Sequence, residues 1–191
     1  MSTTAVILRW VALLAFGGPM LMGLSPRRRD TGSTPGEGRG SRLPLAANLG
    51  AFGLFFPLLI VASGETEGPI PVLLSIAGSV VAVAGSAIVL KSRAELGAAW
   101  SFVPMAGEQS GLVTTGFYRL VRHPIYLGLA MLAAGEAVAF SNGPALLVVF
   151  AAVIPTFLWR ARVEENLLAH VFGDRYLVYR KQTKIIIPYL L

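Results

Sequence analysis

Residues 5–24, 43–62, 70–90, 125–140 and 144–159 form five apolar runs, three of them about as long as the twenty residues a helix needs to cross a hydrocarbon core about 30 Å thick. A soluble helix with one wet face would interrupt such runs with polar residues every turn. The pattern therefore predicts an all-α integral membrane protein of about five transmembrane helices. Composition agrees, since 54% of the 191 residues are hydrophobic and only 14% are charged. The last two runs are short for a full crossing, so they are expected to extend into flanking polar turns or to sit in locally thinned bilayer.

The charge pattern orients the chain. All but Arg9 of the 16 basic residues fall between runs one and two, between runs three and four, or after run five, while the intervening loops read SGETEG and SNG. The positive-inside rule then places the N-terminus outside and the C-terminus in the cytoplasm, in a membrane of the bacterial plasma-membrane type. Arg9, near the outer end of run one, is expected to snorkel. Run one is read as a retained span and not a secretory signal, because Arg27, Arg28 and Arg29 follow its apolar stretch instead of preceding it. With the positive charge assigned to topology, the net charge of +6 calls for no nucleic-acid partner. Absence of cysteine excludes disulfides and thiolate metal sites, and two histidines exclude a three-histidine zinc centre. No metal is expected.

Residues 1–90 read as three N-terminal spans, with residues 25–42 as a disordered basic loop rich in Gly, Pro, Ser and Arg. Gly78, Ser79, Ala82, Gly85 and Ser86 give run three a small-residue packing face. Residues 91–191 form the second region. Its two spans are joined only by SNGP, which predicts an antiparallel hairpin with both cytoplasmic ends side by side.

Those ends carry the chain's chemistry-bearing side chains. Pro124 biases His123 away from helix, so the polar approach RLVRHP should bend and a helix should begin near Ile125. Arg122, His123 and Tyr126 then gather at a helix N-terminus, an arrangement that suits either an interfacial anchor or a bound anion. Glu164 and Glu165 leave the end of run five about 100° apart on a helix, so that one can pair with an arginine while the other faces a cleft, provided the helix continues through NLLAHVF. Tyr176 and Tyr179 share one face of a following short helix, where they could meet a bound cation or anchor at the interface. Trp100 lies where it could line a lipid-facing opening or simply anchor at the interface. Glu136 sits near the outer end of run four and is expected to remain hydrated.

The segments LVTTGFYRLVRHPIYLG, the following EE, HVFGDRYLVYRK and the closing IIIPYL resemble the isoprenylcysteine carboxyl methyltransferase family, broadly related to phospholipid N-methyltransferases. The similarity covers roughly residues 90–191. RHPxYxG followed by EE about 36 residues later is the specific part. The resemblance implies S-adenosylmethionine as methyl donor, in a cytosol-facing site made by the last two spans and the C-terminal segment. It implies cofactor-binding roles for His123, Tyr126, Gly128, Glu164, Glu165 and Tyr176, and catalytic roles for Arg122 and Glu165. It also implies a hydrophobic acceptor, with a carboxylate, thiol or amine to be methylated, arriving from lipid between span three and the hairpin. Two other readings remain at this stage. Membrane sterol reductases, which use a nicotinamide cofactor, share the C-terminal pattern but tend to carry an acid where this chain has Leu129. A non-catalytic membrane carrier would need the same residues only for topology.

Overall fold

Each apolar run is helical in the computed structural model, which describes residues 3–23, 39–64, 67–97 and 111–187. The helices are α1 (Thr3–Gly23), α2 (Arg39–Val61), α3 (Pro69–Leu96), α4 (Pro124–Ala139), α5 (Gly143–Val148), α6 (Ile154–Phe172) and α7 (Asp174–Gln182). One turn of wider π geometry, Val149–Val153, joins α5 to α6 without a break in direction, and a 3-10 turn at Gly116–Arg119 precedes α4. Among the described residues, Leu43–Val61, Pro69–Leu96 and Gly143–Phe172 are long and apolar enough to cross a membrane, and Thr3–Gly17 and Pro124–Ala139 are shorter apolar helices. The chain is thus an all-helical membrane protein. Most of the loop at 25–42, Trp100 and the closing residues 188–191 lie outside the described residues.

In lipid no hydrophobic force draws two apolar helices together, so close contact relies on small residues and interhelical hydrogen bonds. The α3–α4 pair is built this way. Ser75, Gly78, Ser79, Ala82, Gly85 and Ser86 are all buried, which bears out the small-residue face expected of run three. A Cβ on Gly85 would lie 2.5 Å from the carbonyl oxygen of Gly128, and one on Gly135 would lie 2.5 Å from the amide of Ala82. The two backbones therefore touch where a side chain would hold them apart. Ser75 adds a hydrogen bond of 2.9 Å to the carbonyl of Ala139, and Ser79 one of 2.8 Å to Leu8 in α1.

Helix α2 packs on the other side, against α5 and α6, through Phe52, Phe55 and Phe157. Asn142 fixes the turn between α4 and α5. Its side-chain oxygen accepts from the amide of Ala145 at 2.8 Å, and its Nδ2 donates to the carbonyl of Leu58 at 2.9 Å, tying the turn to the end of α2. Helix α6 continues past Trp159 to Phe172, where Gly173 at φ 52° ends it, so Glu164 and Glu165 stand within a helix and not at its terminus.

Two expectations need correction. Arg9 does not snorkel: it is buried, and it donates to the carbonyls of Ala139, at the end of α4, at 3.1 Å and of Gly64, in a loop, at 3.2 Å. Glu136 is not at the surface either. It is fully buried within the helix bundle, and neither carboxylate oxygen has a hydrogen-bond partner among the described residues.

Substituting Gly85 by Leu should force α3 and α4 apart and cost about 1–3 kcal/mol or more. At Gly50, where an added Cβ meets nothing within 4 Å, alanine should leave stability within about 0.5 kcal/mol of wild type. Thermal unfolding in detergent compares the two.

Candidate functional site

Helix α4 starts at Pro124, which has no amide hydrogen, and the residue before it is held out of helical geometry, with His123 at φ −125° and ψ 62°. The backbone of 121–123 is thus free to pair outside a helix. Its partner is the segment after α7. Val121 and Lys184 form a parallel bridge, the amide of Arg122 donates to the carbonyl of Lys184 at 2.8 Å, and that of His123 donates to Ile185 at 3.0 Å. The Tyr179 hydroxyl donates to the carbonyl of Tyr118 at 2.6 Å, fastening α7 to the 3-10 turn. The start of α4, the middle of α6 and the tail so meet at one end of the bundle.

Arg122 is at the centre. Its Nε donates to Glu165 Oε1 at 2.5 Å, while its Nη1 donates to the carbonyls of Thr183 and, at 3.1 Å, of Arg180. Glu164, one position earlier on α6, accepts from the Tyr126 hydroxyl and from Arg160 Nε at 3.1 Å, an i,i+4 pair. Both carboxylates therefore have arginine partners, where only one was expected to. Arg180 reaches Glu165 more loosely, at 3.8 Å. The His123 ring lies between the carboxylates, with Nδ1 3.6 Å from Glu164 and Nε2 3.7 Å from Glu165, distances too long for hydrogen bonds.

Two polar atoms of this cluster are buried with no hydrogen-bond partner among the described residues, His123 Nε2 and the hydroxyl of the fully buried Tyr176. Such atoms are uncommon in folded proteins and call for a partner. Beside them the aromatic rings form a stack. His123 lies over Tyr126 at 5.5 Å with 7° between planes and Tyr126 over Phe157 at 5.0 Å with 9°, while Phe52 of α2 meets Phe157 at 5.9 Å with its ring tilted by 58°. The stack leads from the charged cluster into the apolar interior.

The structure thus brings Arg122, His123, Tyr126, Glu164, Glu165 and Tyr176 together. Gly128 stands apart, one turn into α4, where it packs on Gly85 and Val89 of α3. Sequence reading missed the parts played by Arg180, Tyr118 and the carbonyl of Thr183. No residue pattern points to a carbonyl as a partner, whereas the four-residue spacing of Arg160 and Glu164 is a readable signal.

Residues 73–175, more than half of the chain, match the family model described as phospholipid methyltransferase. Protein-S-isoprenylcysteine O-methyltransferase A of Arabidopsis thaliana is 39% identical over 84 residues, 44% of this chain and 42% of that protein. The Protein-S-isoprenylcysteine O-methyltransferase of Schizosaccharomyces pombe is 34% identical over 103 residues, 52% of this chain and 44% of that protein. The chain spans less than half the length of these curated relatives. Among solved structures, the eukaryotic intramembrane Ras methyltransferase ICMT without a monobody superposes with a TM-score of 0.59 at 24% identity, over 76% of this chain and 52% of that one, a likeness of fold.

Arg122→Ala should destabilise the protein by about 3–5 kcal/mol, because Glu165 is left as a buried charge without its main partner. The double variant Arg122→Ala/Glu165→Gln should lose less than the sum of the single changes, which a double-mutant cycle in denaturant measures. A second outcome follows from the tail. Burial pushes the Tyr179 phenol up to about 12 and also raises Tyr118 and Tyr176, against about 10 in an unfolded chain. Neutral phenols are favoured by the fold, so this stability is complete below pH about 10 and is lost as pH rises toward 12. Phenolate absorbance should rise together with proteolytic release of the tail, and Tyr179→Phe should weaken that alkaline step.

Proposed function

The chain belongs to the phospholipid methyltransferase family, and from that membership we propose that it is an integral membrane methyltransferase that uses S-adenosylmethionine to methylate a hydrophobic acceptor. The observation that carries the donor assignment is the cluster where α4, α6 and the tail meet, with His123 Nε2 and the Tyr176 hydroxyl buried and without hydrogen-bond partners among the described residues, beside paired carboxylates. The residue types fit the donor. S-adenosylmethionine, when bound, supplies an electrophilic methyl group on a sulfonium and presents an amino-acid head and ribose hydroxyls. Glu164 and Glu165 suit the ammonium or the hydroxyls, His123 Nε2 and Arg122 suit the carboxylate, and the Tyr126 and Tyr176 rings suit the neighbourhood of a cation.

In this reading Arg122 fixes the position of Glu165, while the tail covers the site and excludes water. Alignment and desolvation are most of what methyl transfer needs when the acceptor is already a carboxylate or thiolate. An amine or hydroxyl would also need a base, and Glu165 is the group we assign to receive that proton. The acceptor's apolar part belongs along the stack of Tyr126, Phe157 and Phe52, between α4, α6 and α2. The entry expected beside span three is unsuitable along α4, because the backbones of α3 and α4 touch there. The distribution of basic residues supports a cytoplasmic site, with the N-terminus outside.

Calorimetry of S-adenosylmethionine and S-adenosylhomocysteine with detergent-solubilised protein tests the reading. Micromolar binding is expected for wild type, weakened by about tenfold or more in Glu165→Gln and in His123→Ala, each of which removes a charged or hydrogen-bonding partner. Wild-type protein that binds neither ligand would sink the proposal.

A further inference from the structure

The end of the tail forms a second feature that the methyl-transfer reading leaves unused. A cavity of about 290 Å³ is lined by Arg122, Arg180, Lys181, Thr183, Lys184 and Ile185, with Gln182 completing the wall. Four of these side chains are cationic and none is acidic. Arg122 is committed to Glu165 and to tail carbonyls, and Arg180 touches the same carboxylate at 3.8 Å with its own side chain 52% exposed. Lys181 and Lys184 are exposed and form no ion pair among the described residues. Glu165 offsets Arg122 and Arg180 alone, so Lys181 and Lys184 leave the cavity with an excess of positive charge. Its natural ligand is an anion.

The position of the cavity narrows the source of that anion. Ile185 forms its apolar side and packs against the cluster of Ala51, Tyr126, Phe157, Ala161 and Ile186, drawn from α2, α4, α6 and the tail. Helix α2 contains one segment long and apolar enough to cross the membrane, α6 is the second part of another, Gly143–Phe172, and the adjacent α4 begins at Pro124. Cations and grease therefore share one rim at the bilayer boundary, where a free phosphate would use only the charges and a lipid would use both. We propose that this cavity binds the phosphate of an anionic lipid headgroup, with Lys181 and Lys184 as its main contacts and Ile185 against the upper part of the acyl chain. The lipid is a bound ligand and not a methyl acceptor.

The experiment is a thermal-shift titration of the full chain in detergent with short-chain phosphatidylglycerol, which has no amine to methylate, against phosphatidylcholine of the same chain length. Phosphatidylglycerol should raise Tm and phosphatidylcholine should not. In Lys181→Gln/Lys184→Gln the concentration giving half the shift should rise roughly tenfold or more, with Tm before lipid unchanged. Lys184→Gln alone serves as the second variant if the double change lowers Tm by itself, and should show a smaller weakening of the same sign. An equal shift from both lipids, no shift, or a shift unaltered in the lysine variants would overturn the proposal. Inorganic phosphate that reproduces the full shift would assign the cavity to a soluble anion, and abolition of the lipid shift by saturating S-adenosylhomocysteine would assign it to the donor's carboxylate; either result refutes a lipid site. No step depends on methyl transfer, so failure here leaves the enzymatic reading to be judged by donor calorimetry.

Discussion

The arrangement of the charged end rests on one guanidinium. Arg122 precedes the first helical residue of α4, donates to Glu165 on α6, and donates with another nitrogen to backbone carbonyls of the tail. Three segments far apart in sequence are thereby fixed to one planar group. Arginine suits this because its donors are held in a rigid fork that engages several acceptors at once, whereas a lysine ammonium acts as a point charge. A carboxylate this deep in the protein is costly to keep charged without a partner, and Arg122 is the partner within hydrogen-bond distance.

Such a clamp works only if the ends it joins are already in place, and the glycine seam between α3 and α4 provides that. Backbone contact at Gly85–Gly128 and Gly78–Gly135 defines the rotation and depth of α4, and hence the height at which Arg122, His123 and Tyr126 emerge. Asn142 performs the corresponding task at the other end of α4, where it sets the turn that sends α5 and α6 back toward the charged end. Packing by small residues and one capped turn thus determine the position of side chains they never touch. Gly128 belongs to this framework, and its place in RHPxYxG has a packing reason whether or not it lies near a ligand.

The features legible in the sequence were those with a period or a fixed local geometry. Apolar runs gave the helices, SNGP gave the turn, the small residues of run three gave a packing face, and Pro124 gave the start of α4. The pairing of 121–123 with 184–185 was not legible, because it is made by backbone atoms and has no side-chain signature. Arg9 and Glu136 were misread for a related reason. Hydropathy reports the average character of a span, and a single charge within it is assigned by depth alone, whereas burial depends on which neighbouring helix covers that face. Arg9 is covered by α3 and α4 and satisfies the carbonyl of Ala139 there. Glu164 and Glu165 were located correctly as a pair, but their partners lie on different helices and could not be divided between them from spacing beyond the i,i+4 contact with Arg160.

The tail is what separates this charged cluster from an ordinary set of topology-setting residues. Arginines and an acidic pair at a membrane boundary can remain hydrated, and surface pairs of that kind contribute little. Here α7 and the segment after it close over them, Tyr176 and Tyr179 are buried, and Arg122 and Glu165 keep side-chain exposures of only 9% and 5%. Low dielectric strengthens their attraction and makes any unpaired polar atom expensive. A structure that accepts this cost in order to set topology would be expected to pair every such atom. His123 Nε2 and the Tyr176 hydroxyl, without hydrogen-bond partners among the described residues inside an otherwise paired cluster, are instead what a site shaped around a polar ligand would contain.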